Sequence, residues 1–149
     1  MIRKANVEDI PQIQALINKF AGQDRMLPRS LNELYENIRD FWVYEERGKI
    51  TGCAALHFSW KDLSEIKSLA VEKNKQRRGI GAALARTCLE EAKRFKTKKV
   101  FVLTYEAGFF KKLGFKRIKN SMLPHKIWAE CINCPKFPNC KEVAMVKII

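Results

Sequence analysis

The sequence lacks any stretch near the roughly 20 consecutive apolar residues that a membrane-spanning helix requires. Its first residues also lack the apolar segment of a secretory signal, so we predict a cytoplasmic protein with no membrane partner. No internal repeat, low-complexity segment or linker interrupts the chain. Its length of 149 residues is that of one ordinary domain, and we predict a single domain over residues 1–149.

Acidic residues are few, with 16 Asp and Glu against 29 Lys and Arg, and the net charge is +13. Such an excess could serve nucleic acid, an acidic membrane or small anionic ligands. The basic residues concentrate at the ends of elements and in loops, for example over residues 73–78 and 111–126, without interleaved aromatic residues. We therefore expect no nucleic-acid partner. Most of these charges form a solvated surface, and the rest create a field that favours an anionic coenzyme and substrate.

The five cysteines are an odd number without a secretory signal, which argues against a disulfide framework. Cys53 and Cys88 lie in apolar surroundings and are interpreted as small core residues. Three further cysteines and a histidine half match the spacing of a structural zinc site: His125, Cys131, Cys134 and Cys140. We favour reduced cysteines in a lid over the substrate pocket, with zinc as the alternative, and assign no metal.

Hydrophobic periodicity predicts an α+β fold of short strands and helices. The predicted strands cover residues 2–6, 41–45, 50–58, 65–71, 99–104, 115–118 and 143–148. The predicted helices cover residues 7–22, 31–38, 82–95 and 109–113. Ser30 followed by Glu33 is typical of a capping box at a helix start. The dense apolar run of residues 100–103 predicts a strand that is buried on both faces.

A glycine-containing turn between a predicted strand and a predicted helix is the most informative stretch of the chain. It reads Gln76-Arg77-Arg78-Gly79-Ile80-Gly81. Backbone N–H groups at such a turn form a cradle for phosphate oxygens, and glycine permits a sharp bend and a close approach of the ligand. A purely steric role is the alternative for the two glycines alone. With the strand, the arginines and the helix, we interpret the turn as a site for a pyrophosphate-bearing ligand.

Three segments together, residues 65–71, 76–81 and 109–115, resemble the GNAT superfamily of acetyltransferases. The resemblance covers essentially the whole chain. It implies the GNAT fold, a three-layer arrangement of α/β type whose mixed central β-sheet is splayed at the fourth strand, with flanking helices. It also implies acetyl-CoA as co-substrate. The implied coenzyme contacts lie on the central strand, the turn and the short helix: Leu69, Ala70, Val71, Gln76, Arg77, Arg78, Gly79, Ile80, Gly81, Ala82 and Phe110.

A second set of motifs, residues 26–30, 100–104 and 121–124, resembles the acetyltransferase domain of bacterial N-acetylglutamate synthases. This resemblance implies transfer of acetyl to the α-amine of L-glutamate, the first step of arginine biosynthesis. The chain lacks the amino-acid-kinase-like domain of classical members. It also has a cysteine-rich run, residues 131–140, in place of their basic C-terminal segment. It therefore resembles the short, single-domain form of the enzyme.

Acetyl transfer to an amine requires a neutral amine, a polarised carbonyl and a proton for the leaving thiolate. Glu65 is the candidate base that the resemblance implies, and a solvent-facing strand-end acid is the alternative. The tyrosine that many superfamily members use as acid is Phe110 here. Tyr105 is the nearest phenol and the candidate acid, with a structural role beside the coenzyme as the equal alternative.

The two carboxylates of glutamate require cationic partners, and planar two-point binding favours arginine. The resemblance implies Arg29 as the first choice, followed by Lys67 and Lys126. His57 is a further candidate for the pocket, with a packed strand histidine as the alternative. Another small amine or a protein N-terminus is the alternative acceptor, and a non-catalytic CoA-binding module is the alternative class. The sequence leaves a homodimer open.

Overall fold

A computed structural model describes residues 1–22, 28–119 and 142–149. The described strands form one seven-stranded mixed sheet in the order β1-β2-β3-β4-β5-β7-β6. They are β1 (Ile2–Lys4), β2 (Phe41–Glu46), β3 (Lys49–Trp60), β4 (Leu63–Val71), β5 (Lys99–Thr104), β6 (Lys116–Ile118) and β7 (Val143–Ile148). The described α-helices are α1 (Ile10–Ala21), α2 (Leu31–Glu36), α3 (Ile80–Arg94) and α4 (Ala107–Lys112). The mixed sheet with flanking helices confirms the predicted fold class.

The element boundaries differ from the predicted ones by a few residues for local reasons. Helix α3 begins at Ile80, two residues earlier than predicted, directly after Gly79 in a left-handed conformation. Helix α2 ends at Glu36, because Asn37 leaves the helical conformation with φ −110° and ψ 19°, and Ile38 falls in a short 3-10 helix. None of the helices in the described ranges combines the length and apolarity that a membrane span needs.

The helices cover the two faces of the sheet. Helices α1 and α2 pack on one face, against a cluster that includes Cys53 and Ala55 of β3. Helices α3 and α4 pack on the other face, against Ala54 and Leu56 of the same strand. Alternate residues of β3 therefore belong to opposite clusters, as the period of two of a strand requires. Cys53 and Cys88 are free and buried, which confirms their interpretation as core residues.

An arginine clamp joins the edge of the sheet to the start of α1. The Arg3 guanidinium on β1 donates to both carboxylate oxygens of Asp9, at 2.8 and 2.9 Å, and to Glu45 of β2 at 2.7 Å. The same Asp9 carboxylate accepts from the backbone N–H of Asn6 at 2.8 Å. The hydrogen bonds from Arg3 hold the pKa of the Asp9 carboxyl below its ordinary value, although burial acts in the opposite direction. The clamp orients α1 relative to the sheet.

The parallel pairing of β4 with β5 is short. It joins Leu63, Ser64 and Glu65 to residues 99–101 and does not continue in the described part of either strand. Beyond this point β4 stays paired with β3 as far as Val71, and β5 stays paired with β7 as far as Thr104. The sheet therefore opens between its two central strands, as the predicted splay requires.

A β-bulge in β4 follows the last of these pairs. Lys67 pairs with Ala55 and Ala70 with Cys53, so Ser68 and Leu69 together oppose one residue of β3. Ser68 has a φ of 55°, a left-handed conformation that is uncommon outside glycine. The Cys53 thiol donates to the Ser68 carbonyl oxygen at 3.3 Å and supports this geometry. Because bulges bend a strand and increase its twist, this one directs the end of β4 away from a regular course beside β5.

We predict that Ser68→Val destabilises the protein, because a β-branched side chain crowds the backbone at a left-handed position. The free energy of unfolding, measured by urea denaturation, should fall by about 1–3 kcal/mol. Ser68→Gly should cause no such loss, because glycine adopts this conformation freely. The control is Ser59→Val on β3, where φ is not positive. Equal losses from the two valine variants would contradict the proposed strain.

Candidate active site

The turn between β4 and α3 contains two residues in the left-handed region. Gly79 has a φ of 79° and is the N-cap of α3, and Arg77 has a φ of 66°. No side chain caps α3. The first N–H groups of a helix have no partner within it, so the N–H groups of residues 80–82 are oriented outwards from the helix end. Together with the helix dipole they form a site suited to an anion such as a pyrophosphate.

Two contacts hold this turn in place. The Gln76 side chain donates from Nε2 to the carbonyl oxygen of Val71 at 3.0 Å and ties the turn to the end of β4. Gly52 on β3 lets α3 approach closely, because a Cβ there would lie 3.1 Å from Leu84 Cδ1 and 3.2 Å from Ile80 Cγ2. Sequence reasoning placed Gln76 at the coenzyme and overlooked Gly52. A glycine inside a strand pattern is the signal that could have identified it.

Charged groups beside the turn form ion pairs with β2. Arg78 lies 3.2 Å and Lys75 3.3 Å from carboxylate oxygens of Glu46. Burial raises the pKa of the Glu46 carboxyl, but the hydrogen bond from Lys75 and the charges of Arg78 and Lys75 together lower it below its ordinary value. Part of the positive charge of Arg78 is thus neutralised within the protein. This pairing also fixes the turn relative to the β2–β3 hairpin.

The predicted coenzyme contacts of β4 lie on the separated part of that strand. Ala70 and Val71 are buried, and Leu69 packs at the edge of the core beneath α3. Phe109 of α4 lies close to the start of α3 and so lies at the other side of this region. A Cβ on Gly81 would be 3.5 Å from the Phe109 ring. Sequence reasoning selected the neighbouring aromatic residue, Phe110.

Phe110 belongs to the core. It is buried and packs edge-to-face against Phe109 at 5.0 Å and Phe115 at 5.2 Å between ring centroids. Its predicted contact with the coenzyme stays a prediction. A run of two aromatic residues on a short helix does not show which ring faces the core, because helices this short have no periodicity that would decide it.

Glu65 occupies the centre of a row of residues that crosses three strands. It pairs with His57 on β3 and with Phe101 on β5, at the last position before β4 and β5 separate. Glu65 is only 7% exposed and Phe101 is fully buried. Glu65 is therefore not the solvent-facing strand-end acid of the alternative interpretation. It lies where β4 and β5 begin to separate, a place that we call the vertex of the opening, and it is largely shielded from water.

The face of the sheet that carries Glu65 follows from its neighbours. Ile66 packs into the cluster under α3, so Glu65 and Lys67 on either side of it belong to the opposite face, towards α1 and α2. Tyr105 follows β5 and lies four residues beyond Phe101, or ~13 Å along the strand. The candidate acid and the candidate base thus lie at different ends of the opening.

Arg29 is positioned by α1 at the start of α2. Its backbone N–H donates to Asn18 Oδ1 at 3.1 Å, and its carbonyl oxygen accepts from Gln14 Nε2 at 3.2 Å. Its guanidinium lies 3.4 Å from the Glu33 carboxylate. Ser30 caps α2 by accepting from the Glu33 N–H at 3.1 Å, which is one of the two hydrogen bonds of the predicted capping box. Helices α1 and α2 cover the face that carries Glu65 and Lys67. The structure therefore brings the described residues before α2, residues 28–30, which we call the Arg29 loop, to the same side of the sheet.

Several predicted residues lie outside the described ranges. These are the substrate candidate Lys126 and the cysteine-rich group: His125, Cys131, Cys134 and Cys140. Within residues 1–22, 28–119 and 142–149, no group of three or more His, Cys, Asp or Glu side chains could hold a metal ion. Both the zinc alternative and the lid of reduced cysteines stay predictions.

Sequence comparison defines the class of protein to which this fold and site belong. The family described as "Acetyltransferase (GNAT) domain" matches residues 37–117. An uncharacterized N-acetyltransferase of Chlorobaculum tepidum is 40% identical over 148 residues, which cover 99% of this chain and 96% of that protein. An amino-acid acetyltransferase of Mycobacterium tuberculosis is 37% identical over 133 residues, or 87% of this chain and 76% of that protein. The chain belongs to the GNAT acetyltransferase family.

Solved structures place the chain more closely within the family. Rv2747 from M. tuberculosis, in complex with CoA and NLQ, has a TM-score of 0.88 and 32% identity, with 100% of this chain and 99% of that chain covered. N-acetylglutamate synthase from Neisseria gonorrhoeae, complexed with coenzyme A and N-acetyl-glutamate, has a TM-score of 0.91 and 29% identity. The match covers 99% of this chain and 34% of that one. The chain is an acetyl-CoA-dependent N-acetyltransferase of the amino-acid acetyltransferase type, and this prediction is confirmed.

We predict that Gly81→Ala stabilises the protein but weakens its binding of the coenzyme. The φ of Gly81 is not positive and its added Cβ would make only ordinary contacts, so the protein should be stabilised by about 0.5–1 kcal/mol. A Cβ there narrows the approach to the helix N-terminus, so we expect the affinity for CoA, measured by calorimetry, to fall by about tenfold or more.

Gly22→Ala is the matched control for this substitution. Gly22 ends α1 with a φ of −63°, and a Cβ there would also meet backbone oxygens only at ordinary distances of 3.5 and 3.7 Å. This variant should leave the affinity for CoA unchanged. An unchanged affinity in Gly81→Ala as well would contradict the assignment of the turn as the pyrophosphate site.

Proposed function

We propose that this enzyme transfers the acetyl group of acetyl-CoA to the α-amine of L-glutamate and so forms N-acetylglutamate, the first step of arginine biosynthesis. The observation that carries the proposal is the buried Glu65 at the vertex of the opening, on the same face as Lys67 and the Arg29 loop. The similarity to a synthase complexed with coenzyme A and N-acetyl-glutamate supports the choice of acceptor. The cytoplasmic location and the homodimer stay predictions.

In this proposal the coenzyme extends along the opening of the sheet. Its pyrophosphate binds the backbone N–H groups of the turn from Arg77 to Ala82, where helix α3 begins. Its pantetheine arm lies beside Leu69, Ala70 and Val71. That edge of β4 is not paired with β5, so its backbone groups are suited to bond the two amides of the arm. Val71 lies six positions beyond Glu65, or at most ~20 Å of extended strand, which an extended arm can span.

The chemistry is a direct attack within a ternary complex. Glu65 accepts one proton from the substrate ammonium, the neutral nitrogen attacks the thioester carbonyl, and a C–N bond forms as the C–S bond breaks. The nitrogen loses its second proton as the amide forms. A backbone N–H of β4 beside the thioester oxygen stabilises the developing negative charge, a contribution of about 3 kcal/mol in comparable sites. Water relays this second proton to the departing thiolate, because the backbone of Tyr105 lies ~13 Å along the strand from the vertex. The role of Tyr105 as the acid stays a prediction. Arg29, Lys67 and Lys126 bind the two carboxylates of glutamate.

The acceptor is tested by acetyl transfer from radiolabelled acetyl-CoA to a panel of amino acids and one peptide. We expect glutamate to be acetylated with the highest kcat/KM. Glutamine, aspartate and the peptide probe the alternatives of another small amine or a protein N-terminus. Acetylation of the peptide with glutamate and glutamine both inert would contradict the proposed substrate but leave the enzyme class intact.

We predict that Glu65→Gln lowers kcat by about 10²- to 10⁴-fold, the range for loss of a general base. The variant keeps the size and hydrogen-bonding capacity of the side chain but cannot accept the proton at neutral pH. The affinity for acetyl-CoA, measured by calorimetry, should change little. A kcat near that of the native enzyme would exclude Glu65 as the base and would favour the non-catalytic alternative for this carboxylate.

We predict that Arg29→Ala raises the KM for glutamate by about 10- to 100-fold, the usual effect of losing a charged hydrogen bond. The KM for acetyl-CoA should remain close to that of the native enzyme, because Arg29 lies on the α1 and α2 side of the sheet. The control is Arg86→Ala, which removes the same charge from an exposed position on α3. Similar increases in both Michaelis constants would indicate a general structural defect instead of a lost carboxylate contact.

A further inference from the structure

His57 and Asp40 form a close pair next to the candidate base. The Nδ1 atom of His57, on β3, lies 2.7 Å from Asp40 Oδ2, in the short 3-10 helix before β2. The two residues are 17 positions apart in sequence and meet because β2 and β3 are paired. With Nδ1 bonded to the carboxylate, the tautomer with a proton on Nδ1 is favoured. Nε2 is then the nitrogen that is able to accept a proton.

The register of the sheet places His57 beside Glu65. His57 is directly opposite Glu65 in the antiparallel pairing of β3 and β4, so both side chains are on the same face. Side chains in such a pair begin ~5 Å apart at Cβ, which is within the reach of an imidazole and a carboxylate. Lys67 of β4 and the Arg29 loop before α2 are further charged groups on this face. His57 and Glu65 are thus neighbours by the geometry of the strands alone.

The exposure of the two side chains differs. Glu65 is 7% exposed, whereas the side chain of His57 is 37% exposed. A buried carboxylate that accepts a proton must release it to water before the next turnover. His57 is paired with the residue that carries this carboxylate and also reaches solvent, and an imidazole can both accept a proton and donate one.

We propose that His57 carries the proton from Glu65 to solvent in each catalytic cycle and that Asp40 is the positioning residue that orients its ring. The inference rests on the proposed role of Glu65 as the base. After the amine loses its proton to Glu65, that proton passes to Nε2 of His57 and then to water, and the carboxylate and the neutral imidazole are restored. No oxidant, reductant or further reactant is involved, and the acetyl group is not touched.

The first test compares His57→Gln with the native enzyme on the acceptor that the native enzyme acetylates. We expect kcat to fall by about 10- to 100-fold, at or below the lower end of the effect of a direct acid–base group. The KM values for acetyl-CoA and the acceptor should stay within about twofold, because His57 carries a proton and does not hold a ligand. Lys61→Gln, in the exposed turn after β3, is the control and should keep the native kcat.

A second test uses chemical rescue, which a structural role of His57 would not show. In His57→Ala, added imidazole should restore kcat towards the native value as its concentration rises. Glu65→Gln should gain nothing from imidazole. Asp40→Asn should lower kcat less than His57→Gln, since the ring loses its orientation but keeps its proton-accepting nitrogen. Thermal unfolding and calorimetry with acetyl-CoA identify any variant that has not folded.

The outcomes separate this inference from the proposed function. A native kcat in His57→Gln, or a loss in His57→Ala that imidazole does not restore, overturns the role of His57 even when Glu65→Gln is slow. A native kcat in Glu65→Gln instead overturns the assignment of the base, and inert glutamate overturns the assignment of the acceptor. A slow, folded His57→Ala that imidazole rescues supports the proton path.

Discussion

The parallel contact of β4 with β5 ends after Glu65 and Phe101, and the geometry of the candidate site follows from this short pairing. Beyond it, each strand keeps its other neighbour, so the sheet stays continuous on both sides of the opening. The left-handed backbone at Ser68, supported by the Cys53 thiol, bends β4 within that region. Burial raises the pKa of this thiol to about 12, so Cys53 stays a protonated donor instead of a reactive thiolate.

In the proposed mechanism, the two faces of the sheet have different tasks. On the α3 side, the strand ends in a turn whose N–H groups suit a pyrophosphate, and Gly52 lets the helix approach close enough to position them. On the α1 and α2 side, Glu65, His57 and the Arg29 loop suit a small anionic acceptor and its proton. A thioester held in the opening between the two faces would therefore meet the amine at the vertex. Orientation of this kind is a large part of catalysis in a ternary complex.

Much of the fold was predictable because it depends on local signals. The apolar run of β5 predicted its bounds, and Gly79 marked the bend before α3 as a residue that tolerates positive φ. The bulge at Ser68 had no such signal, because serine gives no indication of a left-handed conformation that tertiary contacts impose. The brace from Gln76 to Val71 was missed for a related reason. It is a contact between a side chain and a carbonyl five residues earlier, which hydrophobic periodicity does not report.

From the order of its residues alone, the chain determined a glycine-containing turn between a strand and a helix, and its resemblance to the GNAT superfamily rests on three segments, residues 65–71, 76–81 and 109–115. Each of these signals lies within one short segment, so the order of residues is sufficient to show it. The tertiary structure decided which residues meet around the acid. Strand pairing brings His57 and Phe101 to Glu65, although Phe101 comes from a strand beyond α3, and His57 in turn meets Asp40, 17 positions away. Register and burial are collective properties of the sheet, and no single segment of the chain encodes them.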